Sequence, residues 1–210
     1  MFYSNEISIS YRMGDIIEDF HEVIPHYDKN NEFSIKISNI EMFVILTPCC
    51  SIEHKEAIIV PLKKINEKLI VSEFLRDNLL LVNMPINKKI SMGEQAYNKT
   101  LEKMPLEEQI LFRNINVSYE FCDYFVFDGN DKFKEYSLER KRGKDDIISI
   151  TTRCHMISFK DAMRVNSSIF ERNGTCNKIL ELTPVTRKTL RDKLVFFYSR
   201  VPDEDKIYLP

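Results

Sequence analysis

The sequence predicts an α+β fold: a small, curved, mainly antiparallel β-barrel, carrying a helical insertion and closed by a C-terminal helix packed across it. Three observations lead there. Two short apolar, β-branched runs, Phe43-Val44-Ile45-Leu46 and Ala57-Ile58-Ile59-Val60-Pro61-Leu62, flank a polar turn that holds cysteines and a histidine, the pattern of two buried strands with reactive groups between them. Apolar residues at helical spacing fill much of the stretch from about 66 to 115. In the last helix Leu190, Leu194 and Phe197 form one apolar stripe, which needs a sheet to cover.

Along the chain, residues 1–10 alternate weakly and read as an edge strand or a loose arm. Gly14-Asp15 makes a turn or bulge, after which Ile16-Ile17 opens a buried strand. Asp28-Lys29-Asn30-Asn31 is a turn signal, and Phe33, Ile35 and Ile37 alternate with polar residues as in a half-buried strand. The central strand runs over Met42–Thr47. Ser72 caps a helix reaching Val82, and two further helices follow at Glu94–Met104 and Leu106–Arg113. Strands return over Asn116–Phe127, with Cys122 as a small core filler. Phe133–Leu138 pairs with Ile147–Thr152, which Cys154-His155-Met156 extends, and Phe159–Val165 reads as a short helix. Thr183-Pro184 opens the last helix. No repeat, low-complexity run or linker divides the chain, so residues 1–210 are expected to form one domain.

Bulk properties narrow the function. Hydrophobic residues at 43% suffice for a core. A net charge of -2 removes the argument for a whole-surface nucleic-acid binder. No apolar run approaches the roughly 20 residues of a membrane span, and the N-terminus lacks a basic-then-apolar signal pattern, so a cytoplasmic location without membrane contact is expected. Five cysteines, an odd number, fit free thiols in a reducing compartment. Gly-rich phosphate loops are absent, which weighs against a nucleotide-hydrolysing enzyme.

Three constellations could carry chemistry. Cys50 and His54 in the turn, with Cys154 and His155 after another strand, supply the thiolate and imidazole ligands that zinc prefers, although no Cys-x2-Cys knuckle is present. Cys50 with His54 or His155 could form a thiolate–imidazolium pair. The competing reading of the candidate turn Cys49, Cys50, Ser51 and His54 is structural, with a cysteine packed inward while Ser51 and His54 shape the turn. Thirdly, Arg140, Lys141, Arg142 and Lys144 on a hairpin, with Arg187 on the last helix, could track a phosphate backbone, or form a solvated face. No cofactor is otherwise expected, zinc being the alternative.

Two resemblances add to this. Leu46-Thr47-Pro48-Cys49-Cys50-Ser51-Ile52, preceded by Gly14-Asp15-Ile16 and followed by Val60-Pro61-Leu62 and Thr183-Pro184-Val185-Thr186-Arg187, resembles an uncharacterised family of bacterial proteins. More distantly, the order Gly-Asp-Ile, apolar strand, polar turn, Val-Pro-Leu strand is similar to the PemK/MazF-type toxins, whose small SH3-like barrels cleave single-stranded RNA without a metal. Their usual Arg-Pro before the central strand is replaced here by Ile40-Glu41-Met42, so no catalytic residue carries over. The resemblance implies an SH3-like, PemK-like barrel. The expected function is a non-catalytic binding subunit recognising a protein partner or nucleic acid, and the resemblance implies its setting, a bacterial stress, toxin–antitoxin or phage-defence operon that would supply the protein partner. A metal-independent endoribonuclease and a zinc-stabilised module are the alternatives.

Overall fold

A computed structural model describes residues 1–21, 23–37, 41–48, 56–66, 79–85, 94–106, 109, 121–141, 147–170 and 176–199. Its centre is a five-stranded antiparallel sheet. The strands stand in the order β11 (Met163–Asn166), β5 (Glu56–Pro61), β4 (Met42–Ile45), β1 (Ile16–Glu18) and β12 (Asn177–Leu180). Both faces of this sheet are covered. Val44, Leu46 and Val60 point to one side, into a core with Ile16, Phe125, Ile157 and Leu190, whereas Phe43, Ile45 and Ile59 point to the other, against Ile17, Phe20 and Cys176. That double burial is why the run Phe43–Leu46 is apolar at every position rather than at alternate ones. Val44, Ile45, Ile59 and Phe125 are fully inaccessible, as their sequence context demands.

A second sheet, β6 (Lys63–Lys64), β10 (His155–Ser158) and β7 (Tyr124–Phe127), presents Phe125, Phe127 and Ile157 to the first core. Two separate hairpins complete the strands: β2 (Val23–Tyr27) with β3 (Phe33–Ile37), and β8 (Tyr136–Lys141) with β9 (Ile147–Thr152). Within the expected insertion the described helices are α1 (Leu79–Val82) and α2 (Glu94–Glu102); the expected cap Ser72 and most of the expected Leu106–Arg113 helix lie outside the described residues. The closing helix α3 (Pro184–Ser199) buries Leu190 and packs Leu194 and Phe197 on the core, as its stripe predicts. Its Lys193 is fully buried and donates to the Val82 carbonyl at 2.6 Å, while Asn83 makes two 2.8 Å bonds to the Val126 backbone. These contacts clip α1 onto β7 and α3.

The arrangement is α+β and mostly antiparallel, as expected. The described strands form open sheets, however, and no closed barrel. One cause is local: β1 ends after three residues, Asp19 turns the chain at φ 65°, and the β2–β3 hairpin leaves the sheet. Three element expectations are corrected. His155-Met156 does not extend β9 but starts β10 in another sheet, because Thr152 Oγ1 accepts the Cys154 amide at 3.0 Å and interrupts the ladder. Phe159–Val165 is one 3-10 turn, Phe159–Asp161, followed by β11, whose alternating exposure fits an edge strand. Cys122 sits half-buried in a turn before β7 rather than inside a strand. Among the described residues no helix is long and apolar enough to cross a membrane.

Candidate functional site

The nominated turn residues Cys49, Cys50, Ser51 and His54 lie outside the described residues, as do Arg142 and Lys144. The strand leading into the turn, β4, ends at Ile45, two residues short of the expected Thr47, which is buried and accepts the Ile58 amide on Oγ1 at 2.5 Å. Thr47 therefore ties the mouth of the turn to β5. Arg140 and Lys141 fall on β8. Arg187 does not project from α3: its guanidinium donates to the Met13 and Leu182 carbonyls and to Glu181 Oε1, each at 3.0 Å.

Those contacts place Arg187 in a buried ion cluster that the sequence reading did not assemble. Gly14, at φ +88°, makes the tight turn from which Asp15 points inward; a Cβ at Gly14 would come within 2.5 Å of Leu182. Asp15 Oδ2 accepts the Arg12 amide at 2.8 Å and Lys178 Nζ at 2.9 Å. Lys178 also reaches Glu181 at 3.1 Å, and Arg12 stands 3.5 Å from Glu181. Burial pushes the Asp15 carboxyl above its ordinary value, against the pull of Lys178 and the Arg12 amide. Glu181 goes the other way. Burial raises it, but the hydroxyl and amide of Ser8 with Lys178 and Arg187 outweigh that and hold it at about 2. Among the described residues Asp15 Oδ1 has no hydrogen-bond partner, with Arg187 at 3.9 Å.

This cluster is a clamp. Ser8 gives its amide and hydroxyl to Glu181 Oε2 at 3.0 and 2.7 Å, and Lys178 donates to the Ser10 carbonyl at 2.7 Å. The alternate residues of that loop, Ile7 and Ile9, face out, and Ile9 is completely exposed.

Cys154 and His155, the described half of the nominated metal set, diverge. Cys154 is half-buried in the wall of a cavity of about 250 Å³, and burial raises its thiol. His155 is buried between the rings of Phe133 and Tyr136, at 4.9 and 5.3 Å. Its Nδ1 lies 2.9 Å from the Arg153 carbonyl, to which it donates, and burial lowers its pKa, so the ring is neutral. Tyr136 accepts the Ile65 amide at 2.9 Å and donates to the Cys154 carbonyl, fixing this wall. Among the described residues no group of three or more His, Cys, Asp or Glu could hold a metal ion.

The largest departure from expectation is the β2–β3 hairpin. Phe33, Ile35 and Ile37 occupy one face of β3, paired in register with Tyr27, Pro25 and Val23. Phe33, Ile35, Ile37 and Tyr27 are 59–64% exposed, with the Tyr27 and Phe33 rings 5.4 Å apart. This is an apolar ladder turned to solvent, of the kind that marks candidate interaction surfaces. The alternation in the sequence identified the face; nothing in it said that the face would stay open.

No family model, curated protein or solved structure matches the chain.

Proposed function

We propose that the protein is a non-catalytic binding subunit that engages a protein partner through the apolar face of the β2–β3 hairpin. The observation that carries this reading is the ladder of Tyr27, Phe33, Ile35 and Ile37, more than half exposed on a two-stranded sheet. Isolated two-stranded hairpins are marginal in water, and covering one face supplies what they lack. Aromatic side chains such as Tyr27 and Phe33 are also enriched at protein interfaces. The setting is a bacterial stress, toxin–antitoxin or phage-defence operon in the cytoplasm, so the partner is the product of an adjacent gene. Co-expression of the two and co-purification tests it. The complex should form with the native chain and be lost with Ile35→Lys while the fold persists. A complex indifferent to Ile35→Lys and Phe33→Ser would overturn the reading.

A second reading has one observation in its favour. The three segments on which the PemK-like resemblance rests, the Gly14-Asp15 turn leading into β1, the central strand β4 and the Val60-Pro61 strand β5, are neighbours in one antiparallel sheet in the order β5, β4, β1. On that reading the protein is a metal-independent endoribonuclease. Cleavage of an unstructured RNA in the presence of a chelator would favour it over the binding role.

A further inference from the structure

We propose that what docks on the hairpin is an extended segment of a protein partner, added as an antiparallel strand along the outer edge of β3. This rests on the reading of the hairpin as a docking site and names the chemistry of its occupant. The turn sets which backbone groups are free. The Asp28 amide donates to the Glu32 carbonyl at 3.1 Å, and Asn31, at φ 61°, donates its amide to the Asp28 carbonyl at 3.1 Å. Asp28 Oδ1 accepts the Asn30 and Glu32 amides, each at 2.8 Å, so the turn is fixed from inside. In an antiparallel ladder, hydrogen-bonded and non-hydrogen-bonded pairs alternate. With the Asp28–Glu32 bond in place, the continuous register makes Tyr27↔Phe33, Pro25↔Ile35 and Val23↔Ile37 the non-hydrogen-bonded pairs. Their amides and carbonyls point away from the opposite strand.

The two edges of the hairpin therefore differ. On β2 the outward row is Val23, Pro25 and Tyr27, and Pro25 has no N–H to offer at its middle. On β3 the outward row is Phe33, Ile35 and Ile37, whose amides and carbonyls meet no further strand among the described residues. Proline closes one edge to strand addition, and the other is complete. The same three residues of β3 carry the exposed apolar side chains, at 59–63%. An antiparallel strand laid there would pair its residues directly opposite Phe33, Ile35 and Ile37, with their side chains on the same face of the sheet. The occupant that fits is an extended segment with apolar side chains at three alternate positions and an N–H at each of them. Main-chain bonds then supply affinity and the alternate side chains supply selection. A helix would cover the side chains and leave the amides and carbonyls of the edge without partners.

The test uses the full chain and a model strand, the peptide acetyl-Lys-Thr-Val-Thr-Val-Thr-Val-Thr-Lys-amide, read by residue-resolved amide exchange. One analogue carries N-methyl groups on its valines, which keeps every side chain and removes the amides that would face β3. A second carries them on the two inner threonines, whose amides would point away. The peptide should slow exchange at Phe33, Ile35 and Ile37 and leave the outward amides of Val23 and Tyr27 unchanged. The valine-methylated analogue should bind at least about tenfold more weakly, and the threonine-methylated one as well as the parent. No protection by the parent peptide would overturn the proposal, and so would equal binding by the valine-methylated analogue, which is a contact with the face alone. Loss with the threonine-methylated analogue instead would overturn the antiparallel pairing. Protection of the three amides in the lone chain that grows with its concentration would overturn the proposal by giving the edge to a second copy. If the peptide binds as expected while the adjacent gene's product fails to co-purify, the strand site stands and the operon partner falls. A co-purifying partner with an unresponsive edge gives the reverse.

Discussion

Strands β3 and β4 make the clearest comparison in the molecule. Each carries large apolar residues and pairs antiparallel with one or two neighbours. In β4, Phe43, Val44 and Ile45 are at 0% exposure; in β3, Phe33, Ile35 and Ile37 are at 59–63%. The difference is not in propensity but in what lies above and below. β4 is the middle of five strands with a core on each side, whereas β3 belongs to a hairpin that leaves the sheet after Asp19. Side chains of the same kind thus stabilise the fold in one place and remain open to solvent in the other. Alternation defines a face, and only tertiary context decides whether it is covered.

That contrast can be broken by substitution, and the largest effect should come from the sealed side. Lys178→Ala leaves Asp15 and Glu181 buried without their shared cation, which should cost about 3–5 kcal/mol in denaturant unfolding. A loss under 1 kcal/mol would mean the cluster is hydrated. Ile45→Ala should cost about 2–5 kcal/mol through lost burial and a residual cavity. An unchanged unfolding midpoint would show that the central strand is not packed on both faces.

Acid unfolding gives a smaller and more specific signal. Glu181 has a folded pKa of about 2 against an ordinary 4.5, so its contribution is present above pH 4.5 and is lost as pH falls through about 2. Asp15, whose folded pKa is raised, works in the opposite sense, binding its proton more readily folded than unfolded. The native chain should therefore lose stability between pH 4.5 and 2 more steeply than Glu181→Gln. Parallel curves for the two would contradict the assignment. The smallest effect belongs to the open side. Ile35→Ala should change the stability of the lone chain by no more than about 0.5 kcal/mol, as exposed positions do. A cost comparable to that of Ile45→Ala would mean that the hairpin face is already packed and would erase the contrast.

Much of this frame was legible beforehand, for physical reasons that differ by element. The apolar runs of β4 and β5, the Gly14-Asp15 turn and the stripe on α3 are local patterns with a single packing solution, and each is found. The pairing of β8 with β9 was readable from two runs flanking one charged loop. The break at Cys154 was not, because it depends on where the Thr152 hydroxyl points. Nor was the ion cluster. Asp15, Lys178 and Glu181 are ordinary charges until β1 and β12 pair and bring residues 163 positions apart within 2.9 Å. The Ser8-Ile9-Ser10 alternation was visible but uninterpretable without those partners. The nominated nucleic-acid contact Arg187 shows the same limit: a cation on a helix is read as solvated until the carboxylate it meets is known.

The most direct test of the proposal that the hairpin is a recognition surface is amide hydrogen exchange over residues 23–37, in the lone chain and then with the proposed partner added. Core amides of β4 and β5 should be protected in both states. Those of β2 and β3 should exchange rapidly in the lone chain, as a hairpin with an open face does, and become protected in the complex. Hairpin amides as slow as those of β4 in the lone chain, or equally fast with the partner bound, would contradict the account.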